Sequence, residues 1–469
     1  MNQPKGAFPM KSKLLSLLTV AVLLFVAVVP ASAQLGTTDV SQFTVQNIDT
    51  VDVSVTVQFI SGNNVYQPSQ LDSLNPPTPN PFTLTPGSSK QIYVPNIPAA
   101  QLPPGQYSVV IYSSGQVVAM AGVAGDNPGN TRHFVGSYSG FKPTDGDVKA
   151  YLAVANYNYF GWYSMISVQN LGTVDTTVTL TIRCSNNSSV GTLTSPNIPP
   201  MASYTWALKN VVPSGFTSGT QCNGSAELTS NNSQNIVAVN NQNIPAAGNT
   251  ISYGGAFSGA QTLYVANLQT NNSGWNAALN IRKIGSGNTT VTIDYSDAEP
   301  DDTCNLTDAQ PGCNLYMPGV HPTRGRYSAK ITNSNPAVGL IAVVGSSNGT
   351  RSGAVVGVPD GTQVVTAPLI QKAFYGWTSA INCQNVSPTP TTLNIAYQGK
   401  TPYDHPTTLN EGESVQILAA NEAILGPSFA GGVTITANAP GARIACTVGS
   451  TNSSTVPGDW TNQYNAFNK

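Results

Sequence analysis

The sequence predicts an all-β protein: four tandem Ig-like β-sandwich domains behind an N-terminal signal peptide. Three observations predict it. One phrase recurs at fixed register, its copies alternate apolar and polar residues, and no long stretch beyond the N-terminus has helical periodicity.

At the N-terminus, Lys5, Lys11 and Lys13 precede the apolar run LLSLLTVAVLLFVAVV, Pro30 breaks it, and Ala-Ser-Ala ends at Ala33. Basic residues, an apolar centre and small residues at −3 and −1 mark a signal peptide over 1–33. The run is short for a membrane span, and no Cys follows for lipid attachment. The mature chain is expected to start near Gln34 and to leave the cytoplasm with no membrane span. Its first residues, QLGTTDV, would be an arm able to donate a strand to a neighbour's sheet edge.

The repeat sets the architecture. Trp162, Trp275 and Trp377 each follow a Gly, and seven residues on stand Gln169, Arg282 and Gln384. The next residues, Asn170, Lys283 and Asn385, each lie eight before Val178, Val291 and Leu393. Asn47 and Val55 keep that step in a first copy without the Gly-Trp. MISVQN and TVTLTI alternate as half-buried strands do, and LGTVD, IGSGN and VSPTP between such pairs are turn signals. Further Gly- or Pro-marked turns and two more strands complete each unit. Six to eight short strands in such a length is a sandwich pattern. The domains run over 37–126, 149–243, 261–348 and 364–450, with a tail over 451–469. The linkers share SYSGF and SYGGAF, which reads as an extra strand or bridge docked on a neighbouring unit.

Within the phrase, Gly permits a tight entry turn and Trp covers an edge or end of the sandwich. That makes Trp162, Trp275 and Trp377 packing residues of the repeat core, although an aromatic face also stacks on sugars. Tyr157, Tyr159, Phe160, Phe374 and Tyr375 stand just before the Gly-Trp. Buried, they would cement units into a stiff rod; exposed, they would form a row for ligand stacking.

All six cysteines follow the signal, two in each of the last three units. An even count in an exported chain implies disulfides. The domain partition favours Cys184–Cys222, Cys304–Cys313 and Cys383–Cys446, each a local staple of roughly 3 to 4 kcal/mol. Zinc fits poorly, because the spacing lacks a second ligand pair and the three histidines are scattered.

Nothing in the chain reads as an enzyme. His133, His321 and His405 fall in separate regions, and no nucleophile elbow, phosphate loop or metalloprotease motif occurs. No cofactor is implied. The one acidic cluster, Asp297, Glu299, Asp301, Asp302 and Asp308, offers oxygen ligands for calcium beside the Cys304–Cys313 staple. A solvated acidic loop is the favoured reading, and calcium binding the alternative.

Charged residues make up 9% of the chain, against about 25% in typical soluble proteins. Losing Lys5, Lys11 and Lys13 takes the formal charge from −2 to −5, which gives nucleic acid no basic surface. A polar, weakly charged surface favours close packing of copies. Tandem units with GWxSxIxVQN, a turn and TTVTLTI resemble Ig-like repeats of secreted bacterial surface proteins, of surface-layer, sheath, filament or adhesin type. The resemblance implies a cell-surface structural protein, a non-catalytic rod that self-associates. The alternative is an adhesin or a module binding cell-envelope glycans.

Overall fold

A computed structural model describes residues 21–22, 40–126, 133–244, 248–296, 300–323, 325–453, 459 and 461–469. Apart from Ala21 and Val22, the segment assigned to the signal peptide lies outside the described residues. The described strands form eight antiparallel sheets, two per unit. In the second unit the first sheet runs Lys149–Tyr157, Cys222–Ser230, Val178–Cys184, Val190–Thr194. The second runs Ser203–Ala207, Tyr163–Asn170, Ile236–Ile244, Asn249–Gly254. The third and fourth units repeat this order, and the chain is a set of repeated β-sandwiches, as its pattern predicts.

Binary patterning accounts for the first sheets. Val178–Cys184, Thr289–Tyr295 and Thr391–Tyr397 bury every second residue. The second sheets depart from the pattern. Tyr163–Asn170 was expected to be half-buried, yet it is buried on both faces from Ser164 onward. The cause is a neighbouring unit: the first sheet of each sandwich packs on the second sheet of the next.

The recurring Asn at the end of the phrase has one task throughout. Asn170 Nδ2 donates to the carbonyls of Val174 and Ile198, and its Oδ1 accepts from Gly172 N. Asn47 does the same with Val51, Leu84 and Asp49, and Asn385 with Thr389, Leu409 and Ser387. This fixes the turn between the two repeat strands to the end of a third strand. In the third unit Lys283 replaces Asn, and its ammonium reaches Gly285 O at 2.9 Å and the Asp308 carboxylate at 2.5 Å. Asp308 in turn accepts from Gly287 N, so two residues share the work of one amide.

The linkers decide the overall shape. Each unit's second sheet extends into the segment that follows, giving inner strands His133–Ser139, Asn249–Gly254, Ser352–Val356 and Thr461–Asn465. The extra strand expected of the linkers is therefore present, paired within its own sandwich, and in the expected tail Thr461–Asn465 and Phe467–Asn468 are strands of the fourth sandwich. The four inner strands pack side by side. Ser137 Oγ and Ser139 Oγ of the first unit donate to Gln463 O and Asn465 O of the fourth at 2.8 and 2.9 Å. Asn465 exchanges two hydrogen bonds with Val356 of the third, and Ser352 Oγ donates to Thr250 O of the second. Gly136 closes the circle, because a Cβ there would sit 2.1 Å from Ser252 Oγ.

The rod expected from sequence is thus replaced by a closed ring. Ser108 Oγ of the first unit donates to Met201 O of the second, and Ser328 Oγ of the third to Gly412 O of the fourth. Gly432 of the fourth holds the same place, and a Cβ there would lie 3.4 Å from Gly87 O of the first unit. A solution scattering profile should therefore give a radius of gyration of about 22 Å, the value for a compact chain of this length; a profile extended like a rod would refute the ring.

Asp459 sits where three units meet. Its carboxylate is fully buried and accepts from Thr250 N at 3.0 Å and Ser352 N at 2.9 Å, and from Ser352 Oγ. Burial pushes its pKa up from 3.8 to about 7 against the pull of those donors. The folded state then holds a proton that the unfolded state releases between these values, so stability falls as pH rises through that window, by at most about 4 kcal/mol. Melting curves from pH 4 to 8 should show this fall, and Asp459→Asn should flatten it; parallel profiles for both proteins would refute the assignment. Removing the turn lock by Asn170→Ala or Asn385→Ala should cost roughly 3 kcal/mol in denaturant titrations, since buried carbonyls lose their donors.

Candidate binding site: a cleft between the second and third units

The Gly-Trp builds a hairpin tip. Trp162 N donates to Tyr159 O at 2.9 Å, and the two residues between them, Phe160 and Gly161, have φ of 48° and 80°. Two consecutive positive φ values make a type I′ turn, the tight connection that suits twisted strands. Ser273–Gly274 and Tyr375–Gly376 repeat the geometry before Trp275 and Trp377. Gly is needed at the second position, whereas a side chain at the first bears a left-handed backbone costing on the order of 1 kcal/mol or more. The second and fourth units place an aromatic there. Phe160 is 76% exposed and Tyr375 86%.

Exposure separates the aromatic residues. Tyr157 is buried within its own sandwich, against Phe216. Tyr159 and Phe374 are partly covered, and each meets the next ring edge-on at 4.7 Å. Phe160 and Tyr375 thus do not cement units; they project from them. Trp162, Trp275 and Trp377 are partly buried at the start of their strands, at the rim of each sandwich and outside its apolar centre.

Beside the Phe160 tip, the second and third units enclose a cleft of about 780 Å³. Tyr159, Phe160, Trp162 and Tyr316 supply aromatic surface, and Asn156, Gln242, Asn276, Asn280 and Asn314 supply amides. Asn156 is 7% exposed; its Nδ2 donates to Gln242 Oε1 at 3.1 Å, while its Oδ1 has no partner. Asn314 Nδ2 donates to Asn280 Oδ1. Among the described residues, no lining side chain is charged. The cleft offers neutral donors, acceptors and ring faces.

The wall behind it is ionic. Arg282, at the phrase position where other units carry Gln, is buried and lies 3.5 Å from Glu227, which also takes Lys149 at 2.8 Å. Its guanidinium lies over the Tyr151 ring at 5.4 Å, and burial lowers its pKa to about 10. This triad ties the two cleft-forming units together.

The other residues singled out in the sequence lie elsewhere. Disulfides join Cys184 to Cys222, Cys304 to Cys313 and Cys383 to Cys446, as befits an oxidising compartment. The described members of the acidic cluster do not converge: Asp302 and Asp308 stand at opposite ends of a strand region, Asp302 bound to Tyr295 and His321, Asp308 to Lys283. Asp301 is exposed, and Asp297 and Glu299 lie outside the described residues. Among the described residues, no group of three or more His, Cys, Asp or Glu is arranged to hold a metal ion, and no helix is long and apolar enough to cross a membrane. Sequence reasoning missed Asn156, Asn280 and Asn314, which belong to separate strands and carry no local motif. No family model and no curated protein matches the chain.

Proposed function

We propose that the chain is a secreted, non-catalytic cell-surface protein that binds a neutral, polyhydroxylated ligand of the glycan class in the cleft between its second and third units. The observation that carries this reading is an uncharged cleft walled by exposed aromatic rings and by amides, one with a buried, unpartnered acceptor. Hydroxyls satisfy such amides, and ring faces cover the apolar side of a sugar, whereas an ion would enter without a counter-charge. The exposed Phe160 at a strained turn supports it, because a left-handed aromatic on a loop tip keeps 76% of its surface exposed beyond its edge-on contact with Tyr159.

A second reading, assembly into an extracellular layer, sheath or filament, keeps support from the resemblance to bacterial surface repeats and from the weak surface charge. Ring closure leaves the sheet faces occupied, so such assembly would use edges and loops.

Binding of neutral oligosaccharides, screened on a glycan array and followed by calorimetry, tests the first reading. Phe160→Ala and Asn156→Ala should each weaken binding roughly tenfold, about 1.4 kcal/mol, while Tyr375→Ala leaves the cleft unaffected. Silence of the array, or equal binding by all three variants, would sink the glycan reading.

A further inference from the structure

Among the described residues, the leading strand of the first sandwich is far shorter than in the other three. In those, the first sheet begins with a nine-residue strand: Lys149–Tyr157, Thr262–Thr270 or Val364–Lys372. Each carries an irregularity at the same place, between Leu152 and Ala155, Val265 and Leu268, and Ala367 and Ile370. Among the described residues of the first unit, that position holds Ala21–Val22, paired antiparallel with the strand Ser108–Ser113.

The register of this stub matches the repeat. Val55 and Val178 are equivalent by the eight-residue step and pair with Ser113 and Ser230. Ile111 therefore corresponds to Leu228, whose first-strand partner is Ala150. Val22, the partner of Ile111, stands where Ala150 stands. Counted on from Ala21, the sequence reads AVLLFVAVV to Val29. By that count Val22, Leu24, Ala27 and Val29 fall level with Ala150, Leu152, Ala155 and Tyr157, four of the residues buried in the second unit. The receiving side is also prepared. Val57, Phe59, Val109 and Ile111 are fully buried. Tyr138 holds the register of Tyr253 and Tyr464, whose hydroxyls bond to the backbone of Val154 and Leu369 at the irregularity of the first strand.

We propose that the edge strand Ser108–Ser113 of the first sandwich is a strand-acceptor site for an apolar β-strand, and that its occupant is this chain's own segment beginning at Ala21. The apolar stretch then has a second task beyond export: it completes the first sandwich. Cleavage after Ala33 would open the slot and leave an edge able to take a strand by main-chain pairing. This inference does not depend on the glycan reading.

The test uses a chain that begins at Gln34 and a labelled peptide of residues 20–30, flanked by lysines for solubility. Saturable binding by fluorescence anisotropy is expected, with a higher melting temperature. The same peptide with Leu24→Asp and Ala27→Asp should bind at least tenfold more weakly. No binding, or equal binding of both peptides, would overturn the proposal. Should the shortened chain not fold, the full-length protein carrying Ala21→Cys and Tyr112→Cys gives the answer under oxidising conditions. A cross-link between 21 and 112, but none between 21 and 110 in Ala21→Cys/Val110→Cys, supports the site; absence of the first overturns it.

Discussion

The ring depends on the close approach of four inner strands at its centre. Strands can pack this tightly only where side chains are small or where polar groups meet partners across the gap. Gly136, Ser137, Ser139, Ser252, Ser352 and Gly353 meet the first need, and Asp459 and Asn465 the second. Each linker contributes an inner strand to the sandwich before it. The direction of the linkers then fixes how the first sheet of one unit meets the second sheet of the next, and the fourth interface returns to the first unit.

That constraint explains what could be read from sequence and what could not. The sandwiches were legible because Val178–Cys184 and its equivalents alternate with a period of two, and the period belongs to the strand itself. The turn after each phrase was legible for the same local reason. Ring closure was not, because it depends on contacts such as Ser137 with Gln463, residues separated by most of the chain. The polar members of the phrase misled for a physical reason. Ser164, Ser167 and Gln169 look like a solvent face, but they are buried, and their hydrogen-bond partners lie on other strands or, for Gln169, in the turn at Met201. The cleft shares this cause: its amides come together only through the interface of two units, while its aromatic tip was visible as a Gly-Trp preceded by aromatics.

The buried polar faces also revise the meaning of the low charge. Burying an ion costs several kcal/mol unless it is paired, whereas Asn, Gln and Ser can be buried at a modest cost once hydrogen-bonded. A chain that covers both faces of its second sheets therefore needs amides and hydroxyls there. Arg282 marks the exception and shows the constraint at work: it keeps its place at the interface with Glu227 opposite and Tyr151 stacked alongside.

The scarcity of charge is thus accounted for within one chain, and it carries less weight as a sign of association between chains. Closure removes the sheet faces that a rod would have offered at its two ends. What remains for partners is the set of features that the ring does not use: the hairpin tips and the edge of the first sandwich. Phe160 and Tyr375 are the two aromatic tips, one on the second unit and one on the fourth. Under the proposed readings, a glycan would meet the ring at the Phe160 tip, while the strand edge of the first unit would take the N-terminal segment.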